Sequence, residues 1–135
     1  MAYTTRELRT VYDAVITRLG TSTTKTIGDH IAPLDLTLPY AVVYHRSENI
    51  DDVGTLGDPT VVAELEWQVT SVGETREQAQ WMSYKVRQAL NGWKPVVAGM
   101  SFSPIILDSD APVTRDDDVQ PPKFYAVDIF TTFVN

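Results

Sequence analysis

The sequence predicts an α+β fold: a four-stranded, mostly antiparallel sheet with two helices packed on one face and long acidic loops. Three observations point there. Two stretches repeat apolar residues at helical spacing, one stretch alternates apolar and polar residues with the period of a strand, and an aromatic-rich strand closes the chain. Two amphipathic helices and a half-exposed sheet bury their apolar sides most simply as two stacked layers.

The first helix follows from Leu8, Val11, Tyr12, Val15, Ile16 and Leu19, which share one face of a 3.6-residue period. Thr4 and Glu7 offer a capping box at its start, and Gly20 offers a stop. Residues 20–38 carry Thr, Gly and Pro33 and are expected to be irregular, after which Pro39 opens a short strand from Tyr40 to Tyr44. Residues 46–60 read as an acidic loop with a turn at Gly57-Asp58-Pro59. Next, Ala63, Leu65, Trp67 and Val69 alternate with Glu64, Glu66, Gln68 and Thr70, the mark of an antiparallel strand with one wet face.

Gly73 breaks that strand, and Thr75 with Gln78 supplies the capping box of a second helix. Its stripe is Ala79, Met82, Val86, Ala89 and Leu90, and Asn91-Gly92 ends it. Trp81 sits about 100° around the helix from Met82. It is a candidate for a second surface, because tryptophan is enriched at interface hot spots. Pro95 to Leu107, broken by Gly99 and Pro104, predicts a bulged or two-part strand. Residues 108–123 form a long loop with paired prolines and three adjacent aspartates, a length that in a small domain is usually functional or disordered. Phe124 to Val134 is the last strand, with Tyr125, Val127 and Ile129 on one face and Phe124, Ala126 and Phe130 on the other. A strand apolar on both faces is covered twice. Two helices cover one face, so a neighbouring subunit, or alternatively a folded-over loop, is expected on the other, with Phe124, Phe130 and Trp81 as candidate interface residues.

The length, 135 residues, fits one domain spanning 1–135. Zero cysteines exclude disulfides, thiolate metal sites and cysteine nucleophiles, and fit a reducing cytosol. No apolar stretch reaches the roughly 18–20 residues that span a bilayer, and the polar start of the chain does not read as a signal peptide. The net charge of −7 is unevenly placed. Residues 1–40 and 61–100 each balance four basic against four acidic side chains. The excess lies in residues 41–60, with Glu48, Asp51, Asp52 and Asp58 against Arg46, and in residues 101–135. The latter hold Asp108, Asp110, Asp116, Asp117, Asp118 and Asp128 against Arg115 and Lys123. Tight nucleic-acid binding needs clustered Lys and Arg, which this distribution lacks.

Templates for chemistry are not met. His30 and His45 stand in no metal-ligand spacing. Gly99-Met100-Ser101 lacks the second glycine of a nucleophile elbow, and Gly54-Thr55-Leu56-Gly57 lacks the Lys and Ser or Thr of a phosphate loop. Asp116-Asp117-Asp118 and Asp108-Ser109-Asp110 lack the glycine and distal glutamate of a calcium loop. Glu64 and Glu66 share the wet face of one strand, where neither carboxyl would be raised into an acid. No catalytic residue, cofactor or metal is expected.

Four strings together resemble a family. They are Leu38-Pro39-Tyr40-Ala41-Val42-Val43-Tyr44, Leu56-Gly57-Asp58-Pro59, Trp67-Gln68-Val69-Thr70-Ser71-Val72-Gly73-Glu74-Thr75-Arg76-Glu77-Gln78-Ala79, and Phe124-Tyr125-Ala126-Val127-Asp128-Ile129-Phe130. With the first helix they resemble the tail terminator proteins of long-tailed bacteriophages, of the actinobacterial siphophage type. The resemblance implies a non-enzymatic virion protein at the head-proximal end of the tail, assembled in the host cytoplasm. It implies a hexameric ring that caps the tail tube and stops its growth, with the tail tube protein and a head-completion or neck protein as partners. DNA would pass through the lumen without being held, and no membrane is involved. Two alternatives stay open: a neck connector of the same virion, and a small hydrolase or nucleotide-binding protein. The acidic residues of 46–60 and 108–123 are the candidate lumen or partner loops.

Overall fold

A computed structural model describes residues 5–33, 37–52 and 61–134. The elements run α1 (Thr5–Thr23), β1 (Ile27–Asp29), β2 (Tyr40–Asp52), β3 (Val61–Gly73), α2 (Arg76–Leu90), β4 (Ile106–Asp110), β5 (Thr114–Asp116) and β6 (Lys123–Val134). The α+β class stands, but the sheet is larger than the four strands expected. It has six strands in the order β1-β2-β3-β6-β4, with β5 also on β6. It is mixed, because β1 runs parallel to β2 while the other pairs are antiparallel.

The helix stripes do what their spacing dictates. Leu8, Val11, Tyr12, Val15 and Leu19 of α1 are buried, as are Ala79, Met82, Val86, Ala89 and Leu90 of α2. Both stripes join one core with Ala41, Val43, Leu65, Trp67, Val69 and Phe130, so both helices lie on the same side of the sheet. Thr75 caps α2 by accepting the Gln78 backbone N–H at 3.1 Å. Gln78 Oε1 in turn accepts from the Glu74 backbone N–H at 2.7 Å, one residue before the position a capping box normally uses. The expected cap at Thr4 lies outside the described residues. Gly20 does not end α1. The helix runs on to Thr23, and Thr24 takes the left-handed turn (φ 59°) with its N–H on Gly20 O at 3.1 Å.

Two loop expectations are corrected by pairing, and one strand expectation by its absence. Residues 46–52 are strand, held residue by residue against β3 up to Asp52↔Val61, with one bulge between His45 and Ser47. The residues look like loop because their sequence is polar and carries no apolar stripe; among the described residues β1 pairs with β2 only at Ala41–Val43. Residues 108–123 are not one loop either: β4 and β5 share the free edge of β6, with Asp110↔Asp128 and Asp116↔Lys123 in register. Of the bulged or two-part strand expected from Pro95 to Leu107, only Ile106 and Leu107 belong to a strand (β4); the residues before them are mostly irregular, with one isolated bridge from Phe102 to Val134. They are pinned instead by Ile105 N–H to Trp93 O (2.9 Å), Ser103 N–H to Phe133 O (2.9 Å) and the Thr132 hydroxyl to Ser103 O (2.7 Å).

Candidate functional site

The acidic residues proposed as loops do not converge. Glu48, Asp51 and Asp52 belong to the distal half of β2, which pairs with β3 near the C-terminal end of β6. Asp116 pairs with Lys123 at the opposite end of β6, and Asp117 and Asp118 follow it. Twelve strand residues separate those ends, roughly 35–40 Å at 3.3 Å per residue. Asp58 lies outside the described residues. Locally the 116–118 segment is self-contained: Asp116 Oδ1 accepts from Asp118 N–H at 3.1 Å, and Asp117 pairs with Arg115 at 2.6 Å. Among the described residues no group of three His, Cys, Asp or Glu side chains is placed to hold a metal.

Two polar clusters were not anticipated. In the first, Asp128 of β6 faces the helices between Ala126 and Phe130 and is 0% exposed. Its Oδ2 accepts from Ser83 Oγ at 2.6 Å, and its Oδ1 accepts from Arg87 Nη2 at 2.7 Å and Nε at 3.1 Å. The same Arg87 Nη2 reaches Asp110 of β4 at 2.9 Å. Burial disfavours the guanidinium, but its bonds to Asp128 and Asp110 more than offset this and raise its pKa. The arrangement locks α2 onto β6 and β4. Beside it, Gln80, Tyr84, Pro112 and Val113 help to line an open cleft of about 350 Å³. The signal in the sequence was a lone carboxylate on the core side of an alternating strand.

The second cluster joins α1 to the β1–β2 end of the sheet. His30, at φ 59°, accepts the His45 backbone N–H on Nε2 at 3.0 Å, which leaves the ring proton on Nδ1. Nδ1 then donates to Asp29 Oδ1 at 2.8 Å. The buried Tyr12 hydroxyl lies 2.7 Å from Val43 O and 2.9 Å from Asp29 Oδ1, with one proton for two acceptors. Arg9 completes the set at 2.8 Å from Asp29 Oδ2. Asp29 is held down to about 2, first by the His30 hydrogen bond, against desolvation, and then by Arg9 and Tyr12. Tyr12 is pushed well up, first by burial and then by the Asp29 carboxylate. Every group in the cluster is engaged by a neighbour, so it reads as a structural tie.

The candidate interface residues separate. Phe130 is 0% exposed beneath the helices, so it is core and not surface, which corrects the expectation. Phe124 is half-buried. Trp81 is 41% exposed, with Lys25 Nζ and Lys85 Nζ each 5.6 Å from its ring centroid and Tyr84, 59% exposed, nearby on α2. The face of β6 turned away from the helices carries Tyr125, Val127 and Ile129, all half-buried, and Phe133, which is exposed. On that face Glu64 is in register with Phe133, and Glu66 with Thr131, whose other neighbour is the exposed Ile106.

The elements differ in charge, with Asp29, Asp110 and Asp128 of the strands paired to Arg9 and Arg87 of the helices. The helices α1 and α2 hold six Lys and Arg against three Asp and Glu, a net +3. The six strands hold three basic residues (Arg46, Arg115, Lys123) against ten acidic ones, a net −7. The remaining residues sum to −3, which restores the whole-chain −7.

No family model matches the chain, and no curated protein matches it. Among solved structures, the fold is similar to that of a chain in a structure titled "Virion of native gene transfer agent (GTA) particle". The TM-score is 0.70 at 14% sequence identity, over 97% of this chain and 98% of that one. The likeness therefore extends over the whole of both chains and shows a shared α+β fold.

Proposed function

We propose that this chain is a non-enzymatic virion protein, a tail terminator that forms a ring on the tail tube and offers its other side to the head or neck. The observation that carries the proposal is the whole-chain fold shared with a virion chain of a gene transfer agent particle. The four strings that resemble tail terminators support the finer assignment, since they include the β3–α2 junction around Gly73, Glu74 and Thr75 and most of β6. The acidic balance supports a path for DNA: a surface of net negative charge repels phosphate and lets a duplex slide rather than stick. In this reading the carboxylates of Glu48, Asp51, Asp52 and Asp58, or those of Asp108, Asp110 and residues 116–118, line the lumen or meet a partner.

The test is direct. Light scattering of the purified protein is expected to show a species near six times 15.1 kDa, and electron microscopy a ring. In tail particles, a label on this chain is expected at the last ring of the tube. A label on the portal side and away from the tube would make the protein a neck connector. A strictly monomeric protein that is also missing from tails would end the virion reading.

A further inference from the structure

A ring requires a heterologous contact, in which two different patches of one chain meet each other on successive copies. Resting on the ring reading above, we infer that the two patches are the outward side of α2 and the outer face of the sheet, so that copies stack helix layer on sheet layer. The first patch is aromatic and cationic: Trp81 and Tyr84 project from the helix, and Lys25 and Lys85 flank the indole. The second is apolar and anionic: Phe133 and Ile106 are 45% and 51% exposed, with Glu64 and Glu66 beside them in the ladder.

Three points join these patches. They lie on opposite sides of a two-layer domain, because Ala79, Met82 and Val86 turn the other side of α2 onto the inner sheet face. They are therefore placed for head-to-tail contact and not for a symmetric pair. Their charges oppose, Lys25 and Lys85 on one patch against Glu64 and Glu66 on the other, where Arg46 lies 3.8 Å from Glu66, so contact of unlike patches attracts and contact of like patches repels. Exposed aromatics then meet exposed aliphatics and Phe133, which supplies the anchor that a charged rim lacks. The occupant of each patch is a second copy of this same chain.

Two double variants test the inference. The helix-face variant is Lys25→Glu with Lys85→Glu, and the sheet-face variant is Glu64→Lys with Glu66→Lys. Each alone places like charges across every contact, and sedimentation is expected to show its half-assembly concentration raised about tenfold or more. Mixed in equal amounts, the two present opposite charges at both kinds of contact, so the mixture is expected to assemble as the wild type does. Trp81→Ala should weaken assembly without that rescue. Melting curves at concentrations below assembly confirm that each variant is folded, and Phe133→Ala replaces the sheet-face variant if the latter is not. Wild type that assembles while both variants assemble equally well overturns these patches and leaves the ring reading standing. A sheet-face effect with no helix-face effect, or two defective variants that do not rescue each other, overturns head-to-tail stacking. Wild type that never assembles overturns the ring and this inference together.

Discussion

Arg87→Met puts the buried Asp128 carboxylate to the sharpest test. Asp128 is fully buried, and among the described residues Arg87 donates two hydrogen bonds to its carboxylate and Ser83 one. Removing one partner of a buried ion pair costs about 3–5 kcal/mol, because the remaining charge is left in a poor solvent. Two features place this site at the lower end. Ser83 Oγ remains at 2.6 Å, and the Arg87 side chain is 36% exposed, so water has a route toward the vacated space. A loss of about 3 kcal/mol follows. With an unfolding entropy of roughly 2.1 cal/mol/K per residue over 135 residues, that lowers the melting temperature by about 10 °C. Thermal and urea unfolding by circular dichroism, at one fixed protein concentration, measure it. The pair of Arg87→Met with Asp128→Leu is expected to recover most of the loss, since an apolar pair of similar volume removes the stranded charge. The reasoning is refuted if Arg87→Met alone costs under about 1 kcal/mol, or if the double variant is less stable than Arg87→Met alone.

Phe130→Asp places a carboxylate in the core among Leu65, Trp67 and the helix stripes, and is expected to abolish folding at any protein concentration, not merely assembly, as read by loss of the cooperative melt. Thr75→Ala removes the acceptor of the Gln78 N–H and should cost about 1 kcal/mol in urea unfolding. Gly73→Ala would bring a Cβ to 2.5 Å from the Ala79 backbone nitrogen, where β3 turns into α2; a clear fall in melting temperature is expected, and an unchanged melt would show that this junction yields easily. Asp29 has a folded-state pKa depressed to about 2, so the stability it contributes is present above the ordinary carboxylate range and is lost as pH falls from about 4 to about 2. Because its side chain is 37% exposed, the effect is discounted to about 1 kcal/mol, and Asp29→Asn should flatten the acid limb of stability in that window.

Periodicity made the helices and β3 legible, because burial enforces it: Val11, Val15, Met82, Val86, Leu65, Trp67 and Val69 are all interior. The same logic explains the failures. From Arg46 to Asp52 β2 is strand by virtue of its partner β3, and β4 and β5 by virtue of β6; such segments carry no apolar stripe of their own. Gly20 offers a stop because glycine favours left-handed turns, yet Thr24 takes that turn four residues later. The pairing of Asp128 with Ser83 and Arg87 joins residues more than 40 apart in sequence, and that of Tyr12 with Val43 joins residues 31 apart, so neither tie has a local signature. The two faces of β6 could be told apart only once the helices were seen to lie over Phe130.

The open rim of β2 has one more consequence. Among the described residues, β1 pairs with that edge only at Ala41–Val43 and His30 takes the His45 N–H just beyond it, so farther along β2 no described strand lies on the side away from β3. A long bare edge of that kind is a template on which any extended polypeptide can zip, and a protein made in many copies concentrates that hazard. The sequence of that stretch holds Glu48, Asp51 and Asp52 against the single Arg46, with a bulge at its start, so an identical edge arriving there would bring net negative charge against net negative charge. Charge that would line a channel in the assembled particle would thus also act earlier, as a guard that keeps newly made chains from fusing edge to edge into fibres.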